Sequence, residues 1–311
     1  MKGVVTKSTG SSYIVMCDDG SRYECRLKGN FKIKGIRSTN PLAVGDKVQF
    51  DLPGDKSVGL ITAIENRHNY IVRKSTKLSK QRHIMACNID QAVIVVTLAF
   101  PRTSTGFIDR FLITTEEYHI PACIVFNKFD LYTGDYLKSL EELKNLYEGL
   151  GCKCLVTSAT EMKGLDNFSS LLKNKVSLLA GHSGVGKSAL INAIQPGLNL
   201  KVSEISSYHL KGIHTTTFAE MHSLSFGGFI IDTPGIKELG MIHVKPEEIA
   251  GYFPEMRMLL PGCKYHNCTH IHEPDCAVLR ALDKGEISSS RYRNYLGMLN
   301  DEGIGKNQEW Q

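Results

Sequence analysis

No apolar run in this sequence is long enough to cross a bilayer. The longest, residues 92–100, falls far short of the ~20 residues that a spanning helix needs. No signal-peptide core follows Met1, where the chain is polar and contains glycine. The nine cysteines are an odd number, scattered except for one group near the C-terminus, which excludes a disulfide framework and fits a reducing compartment. Internal repeats are absent. Together these absences predict a cytoplasmic protein with no membrane partner, expected as a monomer. What is present is ordinary for a soluble globular chain: 42% hydrophobic and 22% charged residues, a net charge of +5, and 311 residues, room for two or three domains.

Acidic residues are also missing locally. Residues 66–89 contain none, while Arg67, Arg73, Lys74, Lys77, Lys80 and Arg82 accumulate there. Residues 22–37 carry Arg22, Arg26, Lys28, Lys32, Lys34 and Arg37 against Glu24 alone. Such a stretch suits either a phosphate backbone or a solvated basic connector, and charge does not separate the two.

The first 70 residues read as short strands at 3–7, 13–17, 22–27, 46–51 and 59–65, with turn signals such as Asp18-Asp19-Gly20 between them. That pattern predicts a small closed barrel, an OB-fold first and an SH3-like barrel as the alternative. Strands then alternate with helices: strands at 92–98, 122–126, 153–157 and 176–180, helices at 108–117, 137–149 and 189–194, and a strand pair at 220–224 and 228–231. This predicts an α/β domain with a mostly parallel sheet covered on both faces. The expected division is 1–70 barrel, 71–244 nucleotide domain with the basic linker 66–89, and 245–311 a helical metal-binding domain.

Gly181-His182-Ser183-Gly184-Val185-Gly186-Lys187-Ser188 fits the phosphate-loop pattern between an apolar strand and a helix that continues through Ala189. Its glycines let successive N–H groups face phosphate oxygens, Lys187 supplies charge at the β/γ-phosphates, and Ser188 offers a hydroxyl to Mg²⁺. Asp232-Thr233-Pro234-Gly235 follows a later strand. There Asp232 is placed to hold Mg²⁺ and the Gly235 N–H to sense a γ-phosphate. Asn127-Lys128-Phe129-Asp130 selects guanine, because a carboxylate accepts from both N1–H and the N2 amine, a donor pair that adenine lacks. Thr157-Ser158-Ala159, after the next strand, can offer a backbone N–H to guanine O6. Cys263, Cys268, His270 and Cys276 form C-x4-C-x-H-x5-C, a complete tetrahedral zinc set with no open position, with His266 and His272 as alternatives for the imidazole.

The base motifs here precede the phosphate loop, the reverse of the usual order. With the leading barrel and the trailing Cys/His group, this order resembles the RsgA (YjeQ) family of circularly permuted GTPases, over essentially the whole chain. The resemblance implies a GTP hydrolase with bound zinc and Mg-GTP that acts in late maturation of the small ribosomal subunit, bound through rRNA and activated by the subunit. The alternative is an RNA-binding GTP switch that regulates translation. The family's threonine-rich switch matches His214-Thr215-Thr216-Thr217, with Thr216 the expected Mg²⁺ ligand. Ile213 stands where the family often has arginine. After D-x-x-G comes Ile236, which cannot orient water as a Ras-type glutamine does, so hydrolysis by the free protein is expected to be slow. His214 is the candidate catalytic group nearest in sequence, against the reading of it as a surface histidine.

Overall fold

The computed structural model describes residues 1–28, 41–54, 58–73, 83–198, 219–232 and 244–301. Strands β1 (Lys2–Ser8), β2 (Tyr13–Met16), β3 (Arg22–Leu27), β4 (Lys47–Asp51) and β5 (Gly59–Ile64) form the barrel. Alternation decides which side chains fill it. In β4, Val48 and Phe50 turn inward between exposed neighbours, and in β3 Cys25 turns inward while Arg22, Glu24 and Arg26 face out. β1–β2 and β2–β3 pair antiparallel, β3 pairs parallel with β5, and β4 returns to β1. This closed five-stranded order is that of the OB-fold and removes the SH3-like alternative.

The stretch read as a linker contains structure of its own. β6 (Tyr70–Arg73) and β7 (His83–Cys87) pair as an antiparallel hairpin whose Ile71, Val72, Ile84, Ala86 and Cys87 are buried in the core of the following domain. The density of basic residues around these short apolar runs masked them. Arg67 is a second correction. Its Nε and Nη2 donate to Asp46 at 2.7 and 2.6 Å, and Nη2 also donates to the Pro41 carbonyl at 2.9 Å. With 9% of the Arg67 side chain exposed and none of Asp46, this is a buried clamp, closed by the Cys87 thiol donating to Asp46 at 3.1 Å. Arg67 therefore fastens barrel to hairpin and is withdrawn from any phosphate-binding surface.

The central domain runs β8 (Gln91–Val96), α1 (Thr105–Glu117), β9 (Ala122–Phe126), α2 (Asp135–Gly149), β10 (Lys153–Val156), α3 (Leu165–Leu172), β11 (Val176–Ala180), α4 (Lys187–Ile194), β12 (Glu220–Ser223) and β13 (Phe229–Asp232). Its strand order is β10-β9-β8-β11-β13-β12, parallel except for β12. Every residue of β8 is buried. Ala92, Ile94 and Val96 pack towards Ile108 and Phe111 of α1 and Leu140 of α2; Val93 and Val95 pack towards Phe168 of α3 and Leu190 of α4. A strand covered on both faces loses polar alternation, which is why 92–98 reads as one apolar run. β12 meets β1 through Lys7 and Glu220, whose side chains pair at 3.4 Å, and this contact joins barrel and domain into one 11-stranded sheet.

The C-terminal module holds α5 (Pro254–Arg257), α6 (Ala277–Asp283) and α7 (Ser289–Asp301). Its core of Ile249, Phe253, Met256, Val278, Tyr295 and Met298 also takes in Ile113 of α1. Beside this core, Arg291 is 2% exposed and donates to Asp109 of α1 at 2.6 Å and to Glu255 at 2.7 and 3.1 Å. Asp109 also accepts from Tyr147 of α2 at 2.9 Å and from Asn294 at 2.5 Å. Burial lifts the Asp109 carboxyl above the usual carboxylate range, opposed first by the Arg291 charge. A charge pair desolvated to this degree persists only with its partners complete. Among the described residues no helix is long and apolar enough to cross a membrane.

Candidate nucleotide site and metal cluster

The parallel strands end on one edge, and the chemistry-bearing loops leave from that edge, as ligand loops do in open α/β sheets. β11 runs into residues 181–188, with α4 starting at Lys187 behind Gly186, which sits at φ 95°. Two glycines here are dictated by space. A Cβ on Gly181 would meet the Val95 carbonyl at 2.3 Å, and one on Gly186 would meet Asn127 Nδ2 at 2.4 Å. Lys187 Nζ donates to the carbonyls of Gly181 at 2.7 Å and His182 at 3.0 Å, so its ammonium lies inside the loop's curl. Val185 is buried beneath the loop, and Ser188 and Ala189 lie half-buried in the first turn of α4.

Asn127 braces the loops to each other. Its Nδ2 donates to the Val185 carbonyl at 2.8 Å, its Oδ1 accepts from Thr157 Oγ1 at 3.0 Å, and its backbone N–H donates to Val96 at 2.8 Å. Asp130 accepts from the Ser158 hydroxyl at 2.5 Å. Lys128, in the left-handed region at φ 61°, sends its ammonium to the Phe100 carbonyl at 2.8 Å. Burial lowers its pKa and nearby Asp130 opposes that. The Ser158 N–H is already bonded to the Lys163 carbonyl at 3.0 Å, and the Ala159 N–H follows it in the same loop. The residues flagged in sequence at 127–130, 157–159 and 181–189 are thus brought together. β13 ends at Asp232 opposite Leu179, beside the start of the phosphate loop. His214, Thr216 and Gly235 lie outside the described residues.

Three supports were not read from sequence. Tyr132 donates from its hydroxyl to the Asn127 carbonyl at 2.7 Å and accepts from the Leu98 N–H at 2.9 Å; burial first of all pushes that phenol up to about 12. Lys163 lies over the Phe129 ring, 3.7 Å from its centroid. His182 of the phosphate loop stacks on Phe107 of α1 with centroids 3.9 Å apart and rings 28° from parallel. Each is a tertiary contact between residues with no common motif, so only an apolar or aromatic residue next to a motif could have hinted at it.

The metal cluster is separate and built from side chains. The ligand atoms of Cys263, Cys268, His270 and Cys276 all lie within 4.8 Å of one another. Cys263 Sγ is 3.6 Å from His270 Nδ1 and 4.0 Å from Cys276 Sγ, and His270 Nδ1 is 3.3 Å from Cys276 Sγ. His270 is buried, while the alternatives His266 and His272 are exposed and outside the cluster. Glu273 shapes the intervening loop by accepting from the N–H groups of Thr269, Ile271 and His272 at 2.6, 3.0 and 3.2 Å. Burial alone would raise its pKa, but the Thr269 hydroxyl, which also donates to it, and then the backbone N–H groups outweigh that and hold the carboxyl down at about 2. α7 supports the same loop, with Tyr292 and Tyr295 donating to the His270 and Thr269 carbonyls, both at 2.7 Å. Four such groups at this spacing can hold one metal ion.

Comparison with known proteins decides the family. The RsgA GTPase family model matches residues 64–242, and the RsgA N-terminal domain model matches residues 2–61. The chain belongs to the RsgA GTPase family. Among its RsgA relatives, "Small ribosomal subunit biogenesis GTPase RsgA 2" of Bacteroides thetaiotaomicron is 55% identical over 98% of both chains, and the RsgA of Flavobacterium johnsoniae is 52% identical over 96% of this chain and 93% of its own. The crystal structure of YjeQ from Thermotoga maritima superposes with a TM-score of 0.79 at 35% identity, covering 97% of this chain and 98% of that one. YloQ, described as a circularly permuted GTPase, gives 0.75 at 29% identity, covering 99% and 96%. As an RsgA GTPase, the chain is an enzyme that hydrolyses GTP, and its strand order is that of the permuted fold.

Proposed function

We propose that the chain hydrolyses GTP in late maturation of the small ribosomal subunit, binding the particle through rRNA in the cytoplasm. The observation that carries this reading is the braced nucleotide site on a chain similar, almost end to end, to proteins named small ribosomal subunit biogenesis GTPases. Exposed Arg22, Arg26 and Lys28 on one barrel strand and its exit supply a basic surface of the kind that RNA binding uses.

In this reading Asp130 accepts from guanine N1–H and N2, the Lys128 stem covers the base, and the Ala159 N–H donates to O6. The amides of 182–187 and the Lys187 ammonium hold the phosphates, and Gly235 senses the third. Ser188, at the start of α4, together with Asp232 at the end of β13 and Thr216, would hold Mg²⁺, which would supply positive charge at the phosphates. His214 orients the attacking water in the subunit-bound state. At the metal cluster, a tetrahedron with Zn–S near ~2.3 Å has sulfur–sulfur edges of about 3.8 Å. The 4.0 Å separation of Cys263 and Cys276 fits that, so the ion is a structural zinc held by Cys263, Cys268, His270 and Cys276.

Sedimentation of the protein with purified small or large subunits, in the presence of a non-hydrolysable GTP analogue, tests the reading. Co-sedimentation with small subunits alone is expected. Association with neither particle, or equally with both, contradicts it.

A further inference from the structure

Between β8 and α1, residues 97–103 form a loop that is closed on itself at its base. The Thr97 N–H donates to Thr103 Oγ1 at 3.2 Å, the Thr103 N–H donates to the Thr97 carbonyl at 2.8 Å, and the Thr97 hydroxyl donates to the Pro101 carbonyl. Both threonines are buried. Ser104 then caps α1 by accepting from the Phe107 N–H at 3.3 Å, so the loop is fixed where it leaves the sheet and where it enters the helix. It touches the guanine motif at two points. The Leu98 N–H donates to the Tyr132 hydroxyl, which donates in turn to the Asn127 carbonyl. At the exposed tip, the Phe100 carbonyl accepts from Lys128 Nζ at 2.8 Å. Lys128 Cε lies 3.9 Å from the place a Cβ on Gly186 would take, so the side chain is drawn out from the phosphate loop to this tip.

We propose that the loop 97–103 is a positioning element of guanine-nucleotide binding, with Thr97 and Thr103 setting the Phe100 carbonyl that holds Lys128 extended over the base. The proposal rests on the reading above that the base lies under the Lys128 stem. Lysine carries its ammonium on a flexible four-carbon stem, and a stem that must be ordered by its ligand takes that entropy out of the affinity. Here the protein orders the stem from both ends, and the cost falls on folding instead of on binding. The threonines touch no nucleotide. They act through the Phe100 carbonyl, and the carbonyl acts through Lys128.

The test is calorimetric titration of the full-length protein with GDP. Thr103→Val replaces the hydroxyl that receives the Thr97 N–H and is expected to weaken GDP binding about fivefold, the value of one hydrogen bond. Thr103→Ser keeps that oxygen and is expected to bind as wild type does. Lys128→Met keeps an apolar stem but loses the ammonium, and is expected to weaken binding about tenfold, the value of a charge-assisted bond. Its site is half-buried at the surface, so it tests the anchor even where Thr103→Val fails to fold. The combination decides the matter. With no ammonium to hold, adding Thr103→Val to Lys128→Met is expected to cost nothing further, whereas a threonine that only supports the fold weakens both backgrounds alike.

Unchanged GDP affinity in Lys128→Met, equal weakening by Thr103→Val in both backgrounds, or a Thr103→Ser variant as weak as Thr103→Val overturns the proposal. Asp130→Asn, titrated alongside, separates it from the reading on which it rests. Weakened GDP binding in Asp130→Asn with the loop variants unaffected leaves the base pocket standing and the proposal refuted. Unchanged GDP affinity in Asp130→Asn removes the base pocket itself, and the proposal with it.

Discussion

The nucleotide site and the metal cluster solve the same problem, the convergence of donors on a small charged ligand, in opposite ways. At the nucleotide site the protein holds its own loops. Asn127 ties the phosphate loop to the Thr157 loop, Tyr132 holds Asn127, and Gly181 and Gly186 let backbone segments approach at distances no side chain would permit. In the proposed reading most of its donors are backbone amides of loops that leave the strand ends. At the metal cluster four side chains on one irregular loop point at each other, supported by Glu273 and two tyrosines of α7. Three thiols and an imidazole at this spacing can hold one metal ion, and in the proposed reading that ion is part of the architecture. Two kinds of site follow: one that loses function without losing shape, and one that loses both.

The largest effect should fall on the cluster. Cys276 also caps α6, its sulfur accepting from the Leu279 N–H at 3.5 Å, so Cys276→Ala removes a ligand and a cap together. Structural zinc contributes on the order of 10 kcal/mol in small domains. The variant is expected to contain no metal by elemental analysis and to be cleaved early by protease within residues 244–301, with GTP affinity largely kept. Retained metal, or nucleotide binding lost in parallel, would break the distinction between the two sites.

Lys187→Ala should do the converse. Removing one preorganised charge at the transferred phosphate lowers turnover by about 10²–10³-fold or more, while the melting temperature and metal content stay as in wild type. Asp130→Asn sharpens the comparison further, since it replaces two acceptors by one acceptor and one donor. GTP affinity should drop by about 10–10²-fold, the value of a charge-assisted bond, and xanthosine triphosphate, whose ring offers an acceptor there, should gain. Calorimetric titration with both nucleotides reads the exchange directly, and unchanged GTP affinity would move the base pocket elsewhere.

The same contrast governs what could be read from sequence. Backbone cradles leave strict spacing, because glycine must stand where backbone approaches backbone; the loops at 181–188 and 127–130 were therefore legible, and the cluster of Cys263, Cys268, His270 and Cys276 was legible because a metal demands a fixed donor count. The barrel strands were visible through alternation at Val48 and Phe50. What remained hidden was held by tertiary contacts. The β6–β7 hairpin was obscured by the basic residues around it, and Arg67 was counted with a stretch read as either phosphate-facing or a solvated connector, although its partner, Asp46, lies on the barrel. The Arg291–Asp109–Glu255 cluster joins three helices far apart in the chain, and no local pattern announces it. The readable residues are those whose chemistry fixes their neighbours in sequence.

The central claim, that the site is preorganised for binding but completed for hydrolysis by the small subunit, meets its most direct test in single-turnover GTP hydrolysis. The rate is measured for the protein alone, with small subunits and with large subunits. Ile236 offers no polar atom to the attacking water, so the free protein should be slow despite binding GTP well. Small subunits should accelerate it by about 10³–10⁵-fold, the value of completing such a site elsewhere, large subunits little, and His214→Ala should lose the accelerated rate but not the basal one. Equal rates with and without small subunits would contradict the account.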